Sequence, residues 1–143
     1  MKITERLPAI AVMAVLLGGV AIMVWQAVAP KEGTATVAVK VPPLSEQARR
    51  GNTAFDANCS ACHGKNGAGT DKGPPLVHDI YNPGHHADPA FVIAARRGVR
   101  QHHWPFGDMP AQSQVADADL AALIQYVREL QRANGIFYRP HNM

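Results

Sequence analysis

The stretch Cys59-Ser60-Ala61-Cys62-His63 decides how this chain of 143 residues folds. Two cysteines separated by two residues and followed directly by a histidine form the attachment pattern of a c-type haem. Each thiol adds to one vinyl group of the porphyrin, and the histidine side chain then lies under the iron as an axial ligand. The motif contains both cysteines of the chain. It predicts one covalently attached haem c, bound by Cys59 and Cys62 and ligated by His63.

Three other uses of a Cys-x-x-Cys pair compete with this interpretation. A zinc site requires a second pair of cysteines or histidines at matching spacing, and the sequence contains no second cysteine pair. A thioredoxin-like redox motif is expected near a strand–helix–strand pattern, which is not apparent here. A disulfide between positions 59 and 62 would close a loop too short to give much entropic stabilisation. The motif therefore favours haem attachment.

A long uncharged stretch precedes the motif. Leu7 to Ala29 contains no charged side chain, and a helix needs about 20 apolar residues to cross a bilayer. Lys2 and Arg6 come before it, so the positive-inside rule places the N-terminus in the cytoplasm. We expect a single-pass anchor in a bacterial inner membrane, with the haem domain in the periplasm. Because Ala27-Val28-Ala29 resembles a cleavage site, a cleaved export signal remains the alternative.

The rest of the sequence is organised as one small domain with short extensions. We predict a membrane anchor or signal peptide over residues 1–29, a linker over 30–44, a haem domain over 45–134 and a tail over 135–143. The net charge of the chain is +3. No run of lysines and arginines indicates a nucleic-acid partner, and we expect none.

Three helices are predicted within the domain. The first follows its N-cap Ser45 and carries Gly51 and Phe55 on one face. The second has Asp88 as its N-cap and is closed by Gly98. The third begins near residue 117, and its apolar residues recur with helical period at Leu120, Leu123, Ile124, Val127 and Leu130.

A methionine is the expected ligand on the second face of the iron, because a thioether favours the ferrous state and raises the reduction potential. Three of the five methionines lie in or before the uncharged stretch, and one ends the chain. The remaining one, Met109, lies in Phe106-Gly107-Asp108-Met109-Pro110, where glycine and proline shape a loop. The sequence therefore predicts Met109 as the distal ligand.

These motifs together resemble those of the class I c-type cytochromes, from about Ser45 to Arg132. The resemblance implies an all-α fold, a small cytochrome c-like globule around one haem, in which the first and last helices of the domain cross. It also implies that the carbonyl of Pro74 accepts a hydrogen bond from the proximal ligand His63. The residues that carry it are Gly51, Phe55, Cys59-Ser60-Ala61-Cys62-His63, Gly73-Pro74-Pro75-Leu76, Met109-Pro110 and Tyr126.

From these features we expect a one-electron carrier rather than an enzyme, since both axial positions of the iron are filled and no small-molecule substrate can bind there. Redox partner proteins are expected at the exposed haem edge, where Trp104 and Phe106 are predicted to lie. The alternative is a haem subunit of a larger oxidase or reductase complex.

Two histidine doublets, His85-His86 and His102-His103, do not belong to this pattern. Exposed loops commonly carry polar residues, so all four are consistent with surface positions. Clustered imidazoles also suit copper. The sequence leaves open a second metal site at His85, His86, His102 and His103, which would make a haem-plus-copper metal-handling or sensing module. It also leaves open the replacement of Met109 by a histidine in one redox state.

Overall fold

The computed structural model describes residues 7–28 and 36–140. Within them the only strand-like pairing is an antiparallel bridge between Val99 and Met109, so the predicted all-α class is confirmed for this part of the chain. Short 3-10 turns occur at Lys65–Gly67 and Asp79–Tyr81. The α-helices are α1 (Leu7–Val28), α2 (Glu46–Asn58), α3 (Ser60–His63), α4 (Asp88–Arg97) and α5 (Asp117–Ala133).

The chain divides into two compact units, Met1–Lys31 and Glu32–Met143. The first contains α1, so a helix does form in the uncharged stretch. However, no helix in the described residues is both long enough and apolar enough to span a bilayer.

The predicted transmembrane helix over Leu7–Ala29 is therefore wrong. The single-pass inner-membrane localisation, with a cytoplasmic N-terminus and a periplasmic haem domain, depended on this helix and is corrected with it. The membrane contact that we expected of this stretch also depended on the helix, and it is corrected for the same reason. Lys2, Arg6 and Ala29, which contributed to the prediction, lie outside the described residues.

The second unit is organised by the packing of α2 against α5. Gly51 of α2 is buried, and a Cβ atom at this position would lie 1.9 Å from the carbonyl oxygen of Ala122 in α5. One turn further along α2, the ring of Phe55 meets that of Tyr126 edge to face at 5.6 Å between centroids. The Tyr126 hydroxyl donates to Oδ1 of Asn66 at 2.9 Å. The expected contact between the first and last helices of the domain is confirmed.

The helix ends agree closely with their sequence signals. Oγ of Ser45 accepts from the backbone N–H of Ala48 at 3.2 Å, as predicted for an N-cap. The second of the three predicted helices is α4, and Ala87 is its N-cap, so the prediction of Asp88 as N-cap was wrong and Asp88 is the first helical residue. Gly98 ends this helix with a φ of 76°, a conformation that favours glycine.

The described parts of the predicted linker and tail both pack on the domain. The backbone N–H of Val37 donates to the carbonyl of Ala68 at 2.9 Å. The side chain of Asn134, just after α5, bonds both the N–H and the C=O of Lys40 at 2.8 Å each. Ile136, in the tail, is part of the apolar core. Both segments therefore contribute to the fold of the haem domain.

Replacing Gly51 with alanine is expected to destabilise the protein, because the new methyl group would overlap the Ala122 backbone, which cannot rotate away. Overpacking of this kind costs about 1–3 kcal/mol. Thermal unfolding measures the effect, with Gln47→Ala on the exposed side of α2 as the matched control. The control should stay within about 0.5 kcal/mol of wild type. Equal melting temperatures for the two variants would contradict the close-contact argument.

Candidate functional site

A cavity of about 490 Å³ lies in the second unit, bounded by residues of α3, α4 and α5. Its volume falls within the range of about 300–1,000 Å³ that small-molecule and cofactor sites occupy. The two predicted iron ligands, His63 and Met109, both line it. Its wall is mainly apolar, with side chains that include Leu76, Phe91, Ile93, Val99, Val115, Leu120 and Leu123.

The ring orientation of His63 is fixed by one hydrogen bond. His63 is buried, and its Nδ1 lies 2.9 Å from the carbonyl oxygen of Pro74. A carbonyl can only accept, so Nδ1–H donates and Nε2 carries the lone pair. Burial lowers the pKa of His63, an effect that the Pro74 hydrogen bond partly opposes. The imidazole is therefore neutral at pH 7, which is the form that binds a metal ion.

Two glycines allow the chain to bring Pro74 against His63. Gly64 ends α3 with a φ of 73°, and the N–H of Gly69 then donates to the His63 carbonyl at 2.7 Å. Gly73 passes so close to the motif that a Cβ would lie 2.9 Å from the carbonyl oxygen of Cys62. The glycine-rich segment after the motif is thus a tight return loop that positions the Pro74 carbonyl.

The two cysteines differ in environment. Cys59 is half-buried and lines the cavity, whereas Cys62 is exposed. Burial, and to a smaller extent the neighbouring Cys62, raises the pKa of Cys59 to about 11. A thioredoxin-like pair needs the opposite shift, toward a stable thiolate. The environment of Cys59 therefore disfavours the redox-motif alternative.

Met109 is held in place by its backbone. Its N–H and C=O exchange two hydrogen bonds of 2.9 Å with Val99. Gly98 lies against this pair, since a Cβ there would be 2.4 Å from the Met109 carbonyl oxygen. Residues 100–108 consequently form a loop that is closed at its base by the Val99–Met109 bridge. His102 and His103 lie in this loop.

Trp104, in the same loop, supplies a polar atom to the cavity. It lines the cavity together with Phe106, and the two rings are 6.1 Å apart. Its Nε1–H is buried and has no hydrogen-bond partner among the described residues. A buried donor without a partner costs about 1–3 kcal/mol. A haem, which carries two carboxylates on an apolar macrocycle, offers an acceptor for this donor and apolar surface for the wall.

The histidine doublets, far apart in sequence, come together in the structure. Nε2 of His85 lies 3.1 Å from Nε2 of His103, and the ring of His86 lies 5.3 Å from that of His103. His86, His102 and His103 line the cavity. Burial lowers the pKa of His86, helped by the charges of the three other histidines and opposed by a hydrogen bond to Ile80.

Arg128 of α5 is a positioning residue that the sequence prediction missed. It is 6% exposed, and its guanidinium donates to Oδ1 of Asp88 at 2.8 Å and to the carbonyls of Tyr81 and His86 at 2.9 and 2.5 Å. It also lies over the ring of Phe91, 4.8 Å from the centroid. Through these contacts one side chain fixes the segment that carries a histidine doublet.

Gln131, one turn further along α5, completes this buried network. It is fully buried, and its Nε2 donates to the carbonyls of Leu76 and Tyr81 at 2.9 and 3.0 Å. Its Oε1 accepts from Arg128 at 2.6 Å. The sequence did contain a signal, because Gln131 falls four residues after Val127 on the apolar face of the helix, where a polar residue needs buried partners.

The fold and the cavity define a small α-helical domain that holds one metal-bearing prosthetic group. The chain belongs to the cytochrome c family, since the cytochrome c domain matches residues 48–131, more than half of its length. No curated protein matches the chain. The cofactor is covalently bound haem c with its iron, as predicted, and Cys59 and Cys62 have the spacing that its attachment requires.

Replacing Arg128 with lysine is expected to destabilise the domain, because an ammonium group cannot reach Asp88, Tyr81 and His86 at once. Hydrogen bonds that involve a charged group contribute about 1.5–3 kcal/mol, and the expected loss is of this size. Denaturant unfolding of the holoprotein measures the loss.

The matched control is Arg49→Lys, which alters an exposed ion pair with Glu46 and should change the unfolding free energy by less than about 1 kcal/mol. A loss at Arg128 no larger than in this control would refute the positioning role.

Proposed function

We propose that the protein is a one-electron carrier whose haem iron is ligated by His63 on one face and Met109 on the other. Membership of the cytochrome c family implies haem-based electron transfer. The observation that supports the finer assignment is that one cavity receives both side chains, each on a segment braced by backbone hydrogen bonds. Imidazole and thioether are the ligand pair suited to electron transfer at a raised potential.

The chain's own residues hold this centre in one geometry during the reaction. When bound, haem c supplies an iron that gains and loses a single electron. Cys59 and Cys62 would hold the macrocycle through thioether bonds, and the Pro74 carbonyl keeps the His63 ring in one orientation. Apolar walls exclude water, so little reorganisation accompanies the change in charge. His63 and Met109 would both be used in holding the iron and would leave no position on it for a substrate, so we propose that the protein is a carrier rather than an enzyme.

Partner proteins are proposed to exchange electrons at the edge formed by Trp104 and Phe106. Both rings lie in the wall of the cavity and are only half-buried, so they connect the haem pocket with the surface. Arg100, which is exposed, also lines this wall. A positive charge at this edge would favour reagents and partners that carry negative charge.

The Met109→Ala variant is expected to lose the ferric absorption band in the red that is typical of iron–thioether ligation. Its ferrous form should bind carbon monoxide, which the wild type should not bind, and its reduction potential should fall. Absorption spectra with and without carbon monoxide measure these changes.

Met13→Ala, in the other compact unit, is the matched control and should behave like wild type. Persistence of the red band in Met109→Ala would refute the ligand assignment. A variant that remains six-coordinate without the band would indicate that a histidine has taken the place of Met109.

The Arg100→Glu variant is expected to slow reduction of the haem by a small anionic reductant several-fold at low salt, because it reverses a charge at the proposed electron-transfer edge. The difference should shrink as the ionic strength approaches 1 M. Stopped-flow absorbance measures the rate. Arg50→Glu makes the same charge change on an exposed position of α2 outside the cavity wall. If both variants slow reduction equally, the edge is not the entry point.

A further inference from the structure

The histidine cluster consists of His85, His86 and His103, with His102 beside it. One ring nitrogen from each of the first three lies within 4.8 Å of the others. The closest pair, Nε2 of His85 and Nε2 of His103, is separated by 3.1 Å. Two nitrogens bound at about 2.0–2.1 Å to one ion, at angles of 90–110°, are about 2.8–3.4 Å apart. The closest pair thus already has the separation of two ligands on one metal.

Backbone carbonyls fix the orientation of two of these rings. Nδ1 of His86 donates to the carbonyl of Ile80 at 2.8 Å, so its Nε2 carries the lone pair. Nδ1 of His102 likewise donates to the carbonyl of Arg100 at 2.8 Å. Metal-binding histidines characteristically donate their second ring nitrogen to a carbonyl or carboxylate in this way. His102 lies beside the cluster, with its ring centroid 4.3 Å from that of His103.

The closure of the loop does not account for the cluster. Residues 100–108 are already held by the Val99–Met109 bridge. Within the loop, the Gln101 N–H donates to Oδ1 of Asp108 at 2.9 Å, and the Gly107 N–H donates to Oε1 of Gln101 at 2.7 Å. The hydrogen bond between Nε2 of His85 and Nε2 of His103 links this loop to the segment that carries His85. Any two of these imidazoles that are protonated repel each other. A metal ion bound to several of the rings would hold them together in their neutral form.

We propose that His85, His86 and His103 bind one divalent transition-metal ion, and that Cu²⁺ is the ion they bind most tightly. Three neutral nitrogens with no carboxylate in the group suit copper and zinc rather than calcium or magnesium. The Irving–Williams order places Cu²⁺ above Zn²⁺ for such ligands. The proposed site goes beyond the proposed electron-carrier function, and two of its histidines, His86 and His103, also line the haem cavity.

Titration of the holoprotein with Zn²⁺, in the presence of a chromophoric chelator, tests the site without any redox reaction at the haem. We expect one Zn²⁺ per chain in addition to the haem iron. Losing only the hydrogen-bond partner of a metal ligand lowers the affinity about 10–100-fold. Losing a ligand itself should cost at least as much, so His103→Gln and His85→Gln should each weaken Zn²⁺ binding at least tenfold. His103 is exposed and the substitution is conservative, and an unchanged haem spectrum will show that the variant is folded.

The matched control is His78→Asn. His78 lies outside the cluster, and its Nδ1 caps a 3-10 turn by accepting from the Ile80 N–H at 3.2 Å, a role that asparagine can take over. The affinity of the His78→Asn variant for Zn²⁺ should equal that of wild type. No stoichiometric binding, unchanged binding in the double variant His85→Gln/His103→Gln, or an equal loss in His78→Asn would each overturn the site.

The same titration with Cu²⁺ tests the preferred ion. Cu²⁺ should displace Zn²⁺, and the paramagnetic resonance spectrum of the bound ion should show coupling to several imidazole nitrogens. Nitrogen coupling that persists unchanged in the double variant would place the copper elsewhere. Tighter binding of Zn²⁺ than of Cu²⁺ would overturn the assignment of copper.

Discussion

The absence of a side chain at Gly51 is the constraint on which the rest of the domain depends. It lets α2 approach the backbone of Ala122 so closely that even a methyl group would overlap it. The end of α2 leads directly into Cys59 and the attachment motif, while α5 contributes Leu120 and Leu123 to the cavity wall. The separation of these two helices therefore determines where the haem-attaching residues lie relative to the apolar wall.

The polar network on α5 has a second organising role. The segment between Leu76 and Asp88 contains little regular structure, so its backbone carbonyls need partners from elsewhere in the fold. Gln131 supplies donors to Leu76 and Tyr81, and Arg128 supplies them to Tyr81 and His86. One helix thus fixes an irregular segment by satisfying its carbonyls. The same contacts place the first histidine doublet opposite the loop that carries the second.

Much of the fold was predictable because its signals are local. The motif at Cys59 to His63 is contiguous, Ser45 caps the turn that follows it, and the apolar stripe of α5 has a helical period. The proximity of His85 to His103 is not local, since it depends on the bridge that closes the loop at Val99. Sequence spacing marked the doublets as unusual, but whether they meet is determined by tertiary hydrogen bonds.

Two expectations failed for different physical reasons. The uncharged stretch does form a helix, but no helix in the described residues is both long enough and apolar enough to span a bilayer, so the predicted transmembrane helix was wrong. Arg128 was missed because an arginine in a helix usually points to solvent. Its burial depends on acceptors contributed by Tyr81 and His86, which no helical periodicity reveals.

The cavity also bears on how this protein is made. The cavity is partly open to solvent, so its mainly apolar wall meets water until the porphyrin covers it. A group that binds the folded chain and not the unfolded one stabilises the fold. Joining the porphyrin to Cys59 and Cys62 therefore contributes to folding as well as being a covalent modification.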